Sequence, residues 1–164
     1  MFVSQHKGVT GEVEYTEEQC RKDTQEHIDQ VRTFMNMVVE NIKQRAEVHD
    51  RSKMESPEIE IFTEYTPKLK HSTYGSDEYK SFLTGMGKAL KHHYANNTHH
   101  PEHYEDGIRG MDLLDVVEMF CDWKAATMRH NDGDIRKSIE YNQKRFGYSD
   151  DLASVFRNTA KLFD

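Results

Sequence analysis

The spacing of apolar residues is the feature that most restricts the fold of this chain. Between residues 28 and 42, apolar side chains recur mostly three or four positions apart, at Ile28, Val31, Met35, Val38, Val39 and Ile42. This is the period of one face of an α-helix, and it differs from the alternation of a half-buried strand. The only segment with a strand-like hairpin signal is a weak one around KGVTGEVEY near the N-terminus. The sequence therefore predicts an all-α fold.

Capping residues and chain breakers set the expected helix boundaries. Thr16 is followed by two glutamates and a glutamine, which is typical of a helix start, and this first helix is expected to reach about residue 44. The dipeptide Ser56-Pro57 indicates another start. The other expected elements are a short helix over 46–54, a long helix from about Asp77 to about Tyr94, a loop over 96–110, a strongly helical stretch over 111–131 and two last helices divided at Gly147. Together they predict a bundle of about five to seven helices.

Length, charge and hydropathy restrict the class of protein. The 164 residues predict one domain over 1–164, of which 1–15 is expected to be irregular. The net charge of −7 disfavours general nucleic-acid binding, because an acidic chain repels a phosphate backbone. A cytoplasmic protein without membrane spans is expected, since there is no signal peptide and no run of roughly 18 apolar residues. Cys20 and Cys121 are expected to be reduced, buried thiols, and the oligomeric state is left open.

Histidines are concentrated in one short segment. Residues 91–103 read KHHYANNTHHPEH, so five of the ten histidines of the chain lie there. His93 continues the apolar face of the preceding helix, while His99 and His100 follow across an Asn-Asn-Thr break. A polar surface loop would account for one adjacent pair, but it accounts poorly for two. The two pairs therefore indicate a site that uses imidazole.

Two further histidines lie closer to the N-terminus. His49 and Asp50 are adjacent, and in a helix both side chains can still reach one ion above their shared edge. Taken alone, they can equally be a solvated surface pair. His27 precedes Ile28 of the apolar stripe and borders the expected buried face, where a satisfied core histidine is the alternative to a metal ligand. Both alternatives stay open at this level.

A row of carboxylates completes the candidate ligands. Asp115, Glu118 and Asp122 share one face of the helix expected over 111–131. The apolar stripe beside them consists of Leu114, Val117, Cys121 and Ala125. Carboxylates at the edge of a buried face need positive charge, from a salt-bridge network or from a divalent ion, and this helix has few cations. Imidazole with carboxylate suits Mn, Fe, Co, Ni or Zn better than Mg or Ca, so one or two divalent transition-metal ions are predicted.

In their order along the chain, these residues resemble the HD-domain superfamily of metal-dependent phosphohydrolases. The segment HDRSK is similar to its HD-x-G-K motif, with Ser52 in place of glycine and Lys53 matching the lysine. HHPEHYEDGIRG resembles the HHE…DG segment of HD-GYP phosphodiesterases, but the GYP tripeptide is absent and cyclic-dinucleotide specificity is not implied. VVEMFCDWKAATMR resembles the final Asp helix. Residues 24–161 as a whole resemble small HD-like proteins of bacteria and phages, which implies an HD-like helical bundle.

The resemblance assigns metal ligands residue by residue. It implies that the core ligands of one ion are His27, His49, Asp50 and Asp122. Asp50 is expected to bridge to a second ion. The additional ligands of binuclear members are matched by His93, His99 and His100, and the choice within the pairs His92/His93 and His99/His100 stays open. From the residues alone, Asp115 competes with Asp122 as the last ligand.

The resemblance also assigns roles towards substrate and water. Lys53 is expected to contact phosphate, and Glu118 to hold or deprotonate the attacking water. Further substrate contacts are expected from His92, Lys144 and Arg145. For the last two, a solvated basic face is an equal alternative.

The expected function is hydrolysis of a small phosphorylated molecule, with a nucleotide favoured, by a metal-activated water. Six or more candidate ligands fit two ions with open positions better than one closed tetrahedral site. The alternative is a non-catalytic, metal-stabilised helical binding module, whose ion only joins helices. An acidic protein-binding module that mimics DNA would explain the charge but not the histidines.

Overall fold

The computed structural model describes residues 15–73, 76–129 and 133–163. These residues form helices joined by short turns, with no strand among them, which confirms the all-α prediction. The predicted irregular segment and weak hairpin lie outside the described residues, apart from residue 15. Within the same ranges, no helix is both long and apolar enough to cross a membrane.

Seven α-helices account for most of the described chain. They are α1 (Glu17–Val48), α2 (Glu58–His71), α3 (Asp77–Gly85), α4 (Gly87–Asn96), α5 (Leu113–Thr127), α6 (Ile135–Phe146) and α7 (Asp150–Ala160). Short 3-10 turns lie at Arg51–Met54, Pro101–His103, Gly107–Gly110 and Lys161–Phe163. The number of helices agrees with the predicted bundle of five to seven.

Local sequence explains where the helices begin and end. The side chains of Ser76 and Ser149 accept hydrogen bonds from the backbone at the starts of α3 and α7. Asp112 and Asp115 form a reciprocal capping box at the start of α5. At the end of α6, Gly147 adopts the left-handed conformation with φ 65°, which glycine tolerates without a steric penalty. These signals are short-range, so sequence alone reveals them.

Two predicted boundaries are wrong. The long helix expected from about Asp77 to about Tyr94 is divided at Met86, between Gly85 and Gly87. Glycine has low helix propensity, and a Cβ on Gly85 would clash with the ring of Tyr65. In addition, α1 runs to Val48, so the short helix expected over 46–54 is instead the end of α1 followed by a 3-10 turn.

The chain divides into two compact units, residues 1–39 and 40–164. The described part of the first unit is residues 15–39, nearly all of it within α1. Its polar contacts include ion pairs one helical turn apart, such as Arg21 with Glu17 and Arg32 with Asp29. No residue of α1 is buried, so the stripe that includes Val31 and Met35 is not the buried face that was predicted.

The apolar core of the second unit lies among α5, α6 and α7. Phe120 stacks on Phe156 with ring centroids 5.1 Å apart, and Ile139 and Met119 are fully buried beside them. Burial of such side chains contributes roughly 1.5–3 kcal/mol each. This core holds one face of α5 and leaves the face with Asp115, Glu118 and Asp122 to polar neighbours.

Two predictions about apolar surface are wrong. The stripe expected beside the α5 acids is not the core face, because Val117, Cys121 and Ala125 are exposed while Met119 and Phe120 are buried. Cys20 is also exposed, so neither thiol is buried as expected. Both sides of α5 carry apolar residues at helical spacing, and periodicity alone cannot decide which side meets α6 and α7.

Candidate metal centre

Three parts of the chain, around residues 50, 93–100 and 122, bring their ligand atoms together in the second unit. The ligand atoms of Asp50, His93, His99 and His100, here called the histidine cluster, lie within 4.8 Å of one another. A second set, the outer group, consists of His49, Asp50 and Asp122 at the same spacing. Asp50 belongs to both sets. The structure thus brings together most of the ligands expected from the sequence.

The end of α1 explains how Asp50 reaches this position. Asp50 has φ 56°, in the left-handed region that aspartate tolerates better than most side chains. Its carbonyl then accepts the backbone N–H of Lys53 at 2.9 Å, which begins the 3-10 turn Arg51–Met54. The chain therefore reverses directly after His49, and the carboxylate of Asp50 faces α4 and the His99–His100 segment.

The histidine cluster is tightly packed and shielded from solvent. His93 and His99 are only 1% and 2% exposed. Asp50 Oδ1 lies 3.2 Å from His93 Nε2 and 3.5 Å from His99 Nε2. The Nε2 atoms of His93 and His100 are 2.9 Å apart. Several electron-pair donors therefore point at one small volume.

Two atoms of this cluster lack the hydrogen bonds that buried polar atoms normally form. Asp50 Oδ1 and His99 Nε2 are buried, and neither forms a hydrogen bond within the described part of the chain. An unsatisfied buried polar group costs about 1–3 kcal/mol. The two atoms face each other, and a cation between them would satisfy both. The donor set and its unsatisfied atoms therefore fit a divalent transition-metal ion.

Carboxylates on the far side of three of the rings, those of His49, His93 and His99, orient the imidazoles. Glu58 Oε2 lies 2.9 Å from Nδ1 of His93. Glu118 Oε1 lies 2.8 Å from Nδ1 of His49 and 3.1 Å from Nδ1 of His99. Each carboxylate thus accepts a hydrogen bond from Nδ1–H, which leaves the Nε2 lone pair directed at the centre. Histidine ligands of metals are typically held in this way.

The outer group lies on the other side of Asp50. His49 Nε2 is 3.5 Å from Asp50 Oδ2 and 3.8 Å from Asp122 Oδ1. Lys53 Nζ contacts the same Asp50 oxygen at 2.5 Å. The two oxygens of Asp50 therefore face two different ligand sets, the arrangement required of a carboxylate that bridges two ions.

A second polar network adjoins the centre and contains Arg45, Thr98, Tyr104, Asp115 and Glu118; it is called the Arg45 network. Arg45 Nη1 donates to Asp115 Oδ1 at 2.7 Å and to Glu118 Oε2 at 3.0 Å. Thr98 and Tyr104 donate their hydroxyls to the two oxygens of Asp115, each at 2.6 Å. Asp115 is saturated with donors, so it is not placed to compete with Asp122 as a metal ligand.

The protonation of the centre follows from these contacts. Burial raises the pKa of the Asp50 carboxyl, but the adjacent imidazoles of His93 and His99 and the charge of Lys53 outweigh it and hold the pKa well below its usual range. Although burial lowers it, Asp50 and Glu118 raise the pKa of His99 to about 9. Burial and the neighbouring histidines lower the pKa of His100 to about 2. Metal binding would therefore release a proton from His99.

Several predicted residues have other partners in the structure. His92 Nδ1 lies 2.7 Å from Glu58 Oε1, so an acid holds this ring, and its contact with substrate stays a prediction. Arg145 pairs with Glu102, and Lys144 is exposed. Both oxygens of Glu118 are occupied by His49, His99 and Arg45, which disfavours the role of water-activating base expected for it.

His27 is the one predicted ligand in the unit of residues 1–39, where its side chain is exposed. Its role as a metal ligand stays a prediction. Conversely, sequence reasoning missed Glu58, which is 0% exposed, and Arg45. Glu58 follows a proline in an ordinary acidic first turn, and Arg45 lies at a helix end. Neither position carries a local signal of its tertiary partner.

A large cavity adjoins the centre. Its volume is about 970 Å³, and its wall includes His100 from the histidine cluster and Asp122 from the outer group. The rest of the wall comes from the end of α2, from Tyr94 of α4 and from α5 and α6. Cavities of this size accommodate small-molecule ligands.

The fold and the centre together define an all-α protein with a candidate metal site beside a small-molecule cavity. A family model described as a family of unknown function (DUF5662) matches residues 16–162, so the chain belongs to this family. No curated protein and no solved structure gives a significant match to the chain. The matched range contains every residue of the histidine cluster, the outer group and the Arg45 network.

Proposed function

We propose that the protein is an HD-type, metal-dependent phosphohydrolase that acts on a small phosphorylated molecule, with a nucleotide as the favoured substrate. The observation that carries the proposal is the pair of buried atoms without a hydrogen bond, Asp50 Oδ1 and His99 Nε2, inside a ring of imidazole and carboxylate donors. Such atoms in a native fold call for an explanation, and a cation bound between them would supply one. The proposal places the protein in the cytoplasm.

Two ion positions account for the ligands. One would be held by the histidine cluster and the other by the outer group, with Asp50 shared between them. The donor types suit Mn, Fe, Co, Ni or Zn. The resemblance to the HD-domain superfamily supports the same assignment of His49, Asp50 and Asp122.

When bound, divalent ions at such a site supply an activated water and neutralise charge that develops at phosphorus. The residues of the chain prepare the site for this chemistry. Glu58 and Glu118 keep protons on Nδ1 of the ligand histidines, so that Nε2 stays available. Arg45 holds Glu118 in place at 3.0 Å. Lys53, partly exposed beside Asp50, is the cation nearest to a phosphate that approaches the outer group.

The adjoining cavity favours catalysis over a purely structural ion. A structural site is closed by its protein ligands, whereas a catalytic site keeps a position open to substrate. His100 and Asp122 lie in the cavity wall, so a ligand in the cavity would meet the centre directly. A metal-stabilised module that only joins helices gives no role to this cavity.

The test measures metal content and hydrolysis on the same preparations. Untagged wild-type protein is analysed by mass spectrometry for bound metal. It is then assayed for phosphate release from nucleotides and sugar phosphates with Mn, Co, Ni or Zn added. Asp50→Asn is the disabled variant, and Asp151→Asn, in the exposed first turn of α7, is the matched control.

We expect one to two ions per chain and metal-dependent phosphate release in the wild type and in Asp151→Asn, with both lost in Asp50→Asn. Bound metal that stabilises the fold without hydrolysis of any substrate would favour the non-catalytic module instead. Absence of bound metal, together with no thermal shift on addition of these ions, would contradict the metal site itself.

A further inference from the structure

The cavity extends well beyond the candidate metal centre. Its wall contains His100 and Asp122 of the centre, the cation Arg145, which pairs with Glu102, and three further cations at Lys70, Arg129 and Lys137. These cations come from the end of α2, from the turn after α5 and from the first turns of α6. The arrangement of the helices shows how far the cations lie from the centre.

Along each of three helices, α5, α6 and α2, the cation lies away from the end of the helix that is near the metal centre. Arg129 follows Asp122 by seven residues along α5 and its last turn, which is about 10 Å at 1.5 Å per residue. On α6, Arg145 pairs with Glu102, which lies two residues from His100 in the chain. The C-terminal end of α6 is therefore the end near the centre. Lys137 lies eight residues earlier, about 12 Å away along the helix.

The direction of α2 agrees with that of α5 and α6. Its first residue, Glu58, contacts His93 of the histidine cluster, and Lys70 is close to its other end. All three cations therefore lie at the end of the cavity away from the metal centre. We call this set, Lys70, Arg129 and Lys137, the distal cations.

The distal end of the cavity differs from the end near the metal centre in its charge and in the partners of its cations. Within the described residues, none of the distal cations forms an ion pair with an acid. Asp134, which precedes α6 in the cavity wall, accepts a hydrogen bond from the backbone of Arg136 as the N-cap of that helix. The three distal cations outnumber this one acid, so they give the distal end positive charge in a chain with net charge −7.

The wall of the cavity is partly aromatic. It includes Tyr94, Trp123, Tyr141 and Phe146. Trp123 is fixed by stacking on Phe146, with the rings nearly parallel at 3°. These side chains offer apolar surface to a ligand, while the distal cations offer positive charge at one end of the cavity.

We infer that the substrate carries two anionic groups about 10 Å apart, a phosphate ester at the metal centre and a second phosphate or a carboxylate bound by the distal cations. The assignment of the first phosphate rests on the proposed function, whereas the distal anion site rests on the cavity and its cations alone. Lysine and arginine recognise phosphate and carboxylate through charge-assisted hydrogen bonds.

Three matched probes with a straight six-carbon chain test the inference: hexyl phosphate, hexanediol bisphosphate and phosphonooxyhexanoate. Their affinities are measured by calorimetry for the wild type, for the double variant Lys70→Met/Lys137→Met and for Lys88→Met. Lys88 is exposed on α4 outside the cavity wall and serves as the control. Circular dichroism verifies that all three proteins are folded.

We expect the wild type and Lys88→Met to bind at least one of the two doubly anionic probes about tenfold or more tightly than hexyl phosphate, as one well-placed charge-assisted contact allows. The double variant should lose this preference. Which doubly anionic probe binds better identifies the second group as phosphate or carboxylate. Equal affinity for all three probes, no binding of either doubly anionic probe, or an equal loss in Lys88→Met would overturn the inference.

Repeating the titrations with Asp50→Asn separates this inference from the proposed function. If the variant has lost its metal but still prefers doubly anionic probes, the distal site stands whether or not the protein hydrolyses phosphate esters. If wild type and Asp50→Asn both lack the preference while the wild type still hydrolyses phosphate esters, the distal site is wrong and the proposed function stands.

Discussion

The histidine cluster and the Arg45 network lie side by side, and they satisfy their polar atoms in opposite ways. In the network, both oxygens of Asp115 accept hydrogen bonds, from Arg45, Thr98 and Tyr104. In the cluster, Asp50 Oδ1 and His99 Nε2 have no hydrogen-bond partner among the described residues. Two aspartates in neighbouring regions thus differ in whether both oxygens of the carboxylate are hydrogen-bonded.

The comparison teaches that residue type does not identify a metal ligand, whereas unmet hydrogen-bonding capacity does. Glu118 makes this visible, because one of its oxygens serves His49 and His99 while the other accepts from Arg45. Glu118 thus contacts both the Arg45 network and the histidine cluster, and both of its oxygens have partners. The network supplies rigidity, and the cluster holds converging lone pairs that a cation would satisfy.

The largest expected difference is between two aspartate-to-asparagine variants. Asp50→Asn should lose metal at both candidate positions, since Asp50 is shared by the cluster and the outer group. Asp115→Asn should retain its metal and be less stable than wild type, because Asp115 accepts hydrogen bonds from Arg45, Thr98 and Tyr104 and does not face the candidate ion positions. Metal content after dialysis against a weak chelator, together with the thermal shift on adding Mn or Zn, measures the difference. A metal-free Asp115→Asn beside a loaded Asp50→Asn would reverse the roles given to the two regions.

Removal of the central cation of the network comes next in size. Arg45→Met should destabilise the fold by about 3 kcal/mol, because it leaves Asp115 and Glu118 as buried carboxylates without their cation. Urea unfolding in the presence of a chelator gives the free energy without a contribution from metal. Arg45→Lys keeps the charge but not the planar fork, so it should recover only part of the loss. If Arg45→Met is as stable as wild type, the Arg45 network contributes little to the free energy of unfolding.

A smaller effect, on metal affinity, is expected from changing Glu58, whose carboxylate contacts Nδ1 of His93. Glu58→Gln should weaken metal binding by about 10–100-fold, as is typical when the hydrogen-bond partner of a ligand histidine is changed. Glu60→Gln, an exposed acid on the same helix, is the matched control and should bind metal normally. Metal titrations followed by calorimetry measure both. Equal affinities would mean that Glu58 does not orient His93 for a metal.

The smallest effect concerns the pH dependence of stability. Burial raises the pKa of Asp115, but hydrogen bonds from Thr98, Tyr104 and Arg45 outweigh it and lower the pKa to about 2. A carboxyl with a depressed folded-state pKa stabilises the fold above its unfolded value and loses this as the pH falls through the folded value. Asp115 should therefore contribute about 2 kcal/mol above pH 4, lost towards pH 2.

Unfolding free energies of wild type and Asp115→Asn, measured with chelator from about pH 6 down to about pH 2.5, isolate this contribution. The gap between the two proteins should narrow as the pH falls. A gap that stays constant over the whole range would show that the charge of Asp115 does not matter to folding.

Much of the secondary structure could be predicted from the sequence, because its causes are local. Apolar spacing indicates helices, and the caps at Ser149 and Gly147 lie within a few residues of the ends they form. The division at Met86 was missed, although Gly85 and Gly87 flank it. A glycine pair weakens a helix, but whether the helix breaks there depends on packing against Tyr65.

The candidate site was predictable as a set of residue types and only partly as an arrangement. The HD dipeptide and the two histidine pairs marked Asp50, His93, His99 and His100 as candidates. Sequence could not separate Asp115 from Asp122, because both lie on one face of α5. Their different partners, Arg45 and His49, are 70 and 73 residues away in the chain.

The sequence by itself determined the helical class, most helix ends and a surplus of metal-binding side chains. These depend on interactions within one or two helical turns. Only the tertiary structure decided that Glu58 supports His93, that Asp115 is saturated and that Asp50 Oδ1 has no hydrogen bond among the described residues. The reason is that the satisfaction of a buried polar atom depends on which distant side chains packing brings within about 3 Å of it.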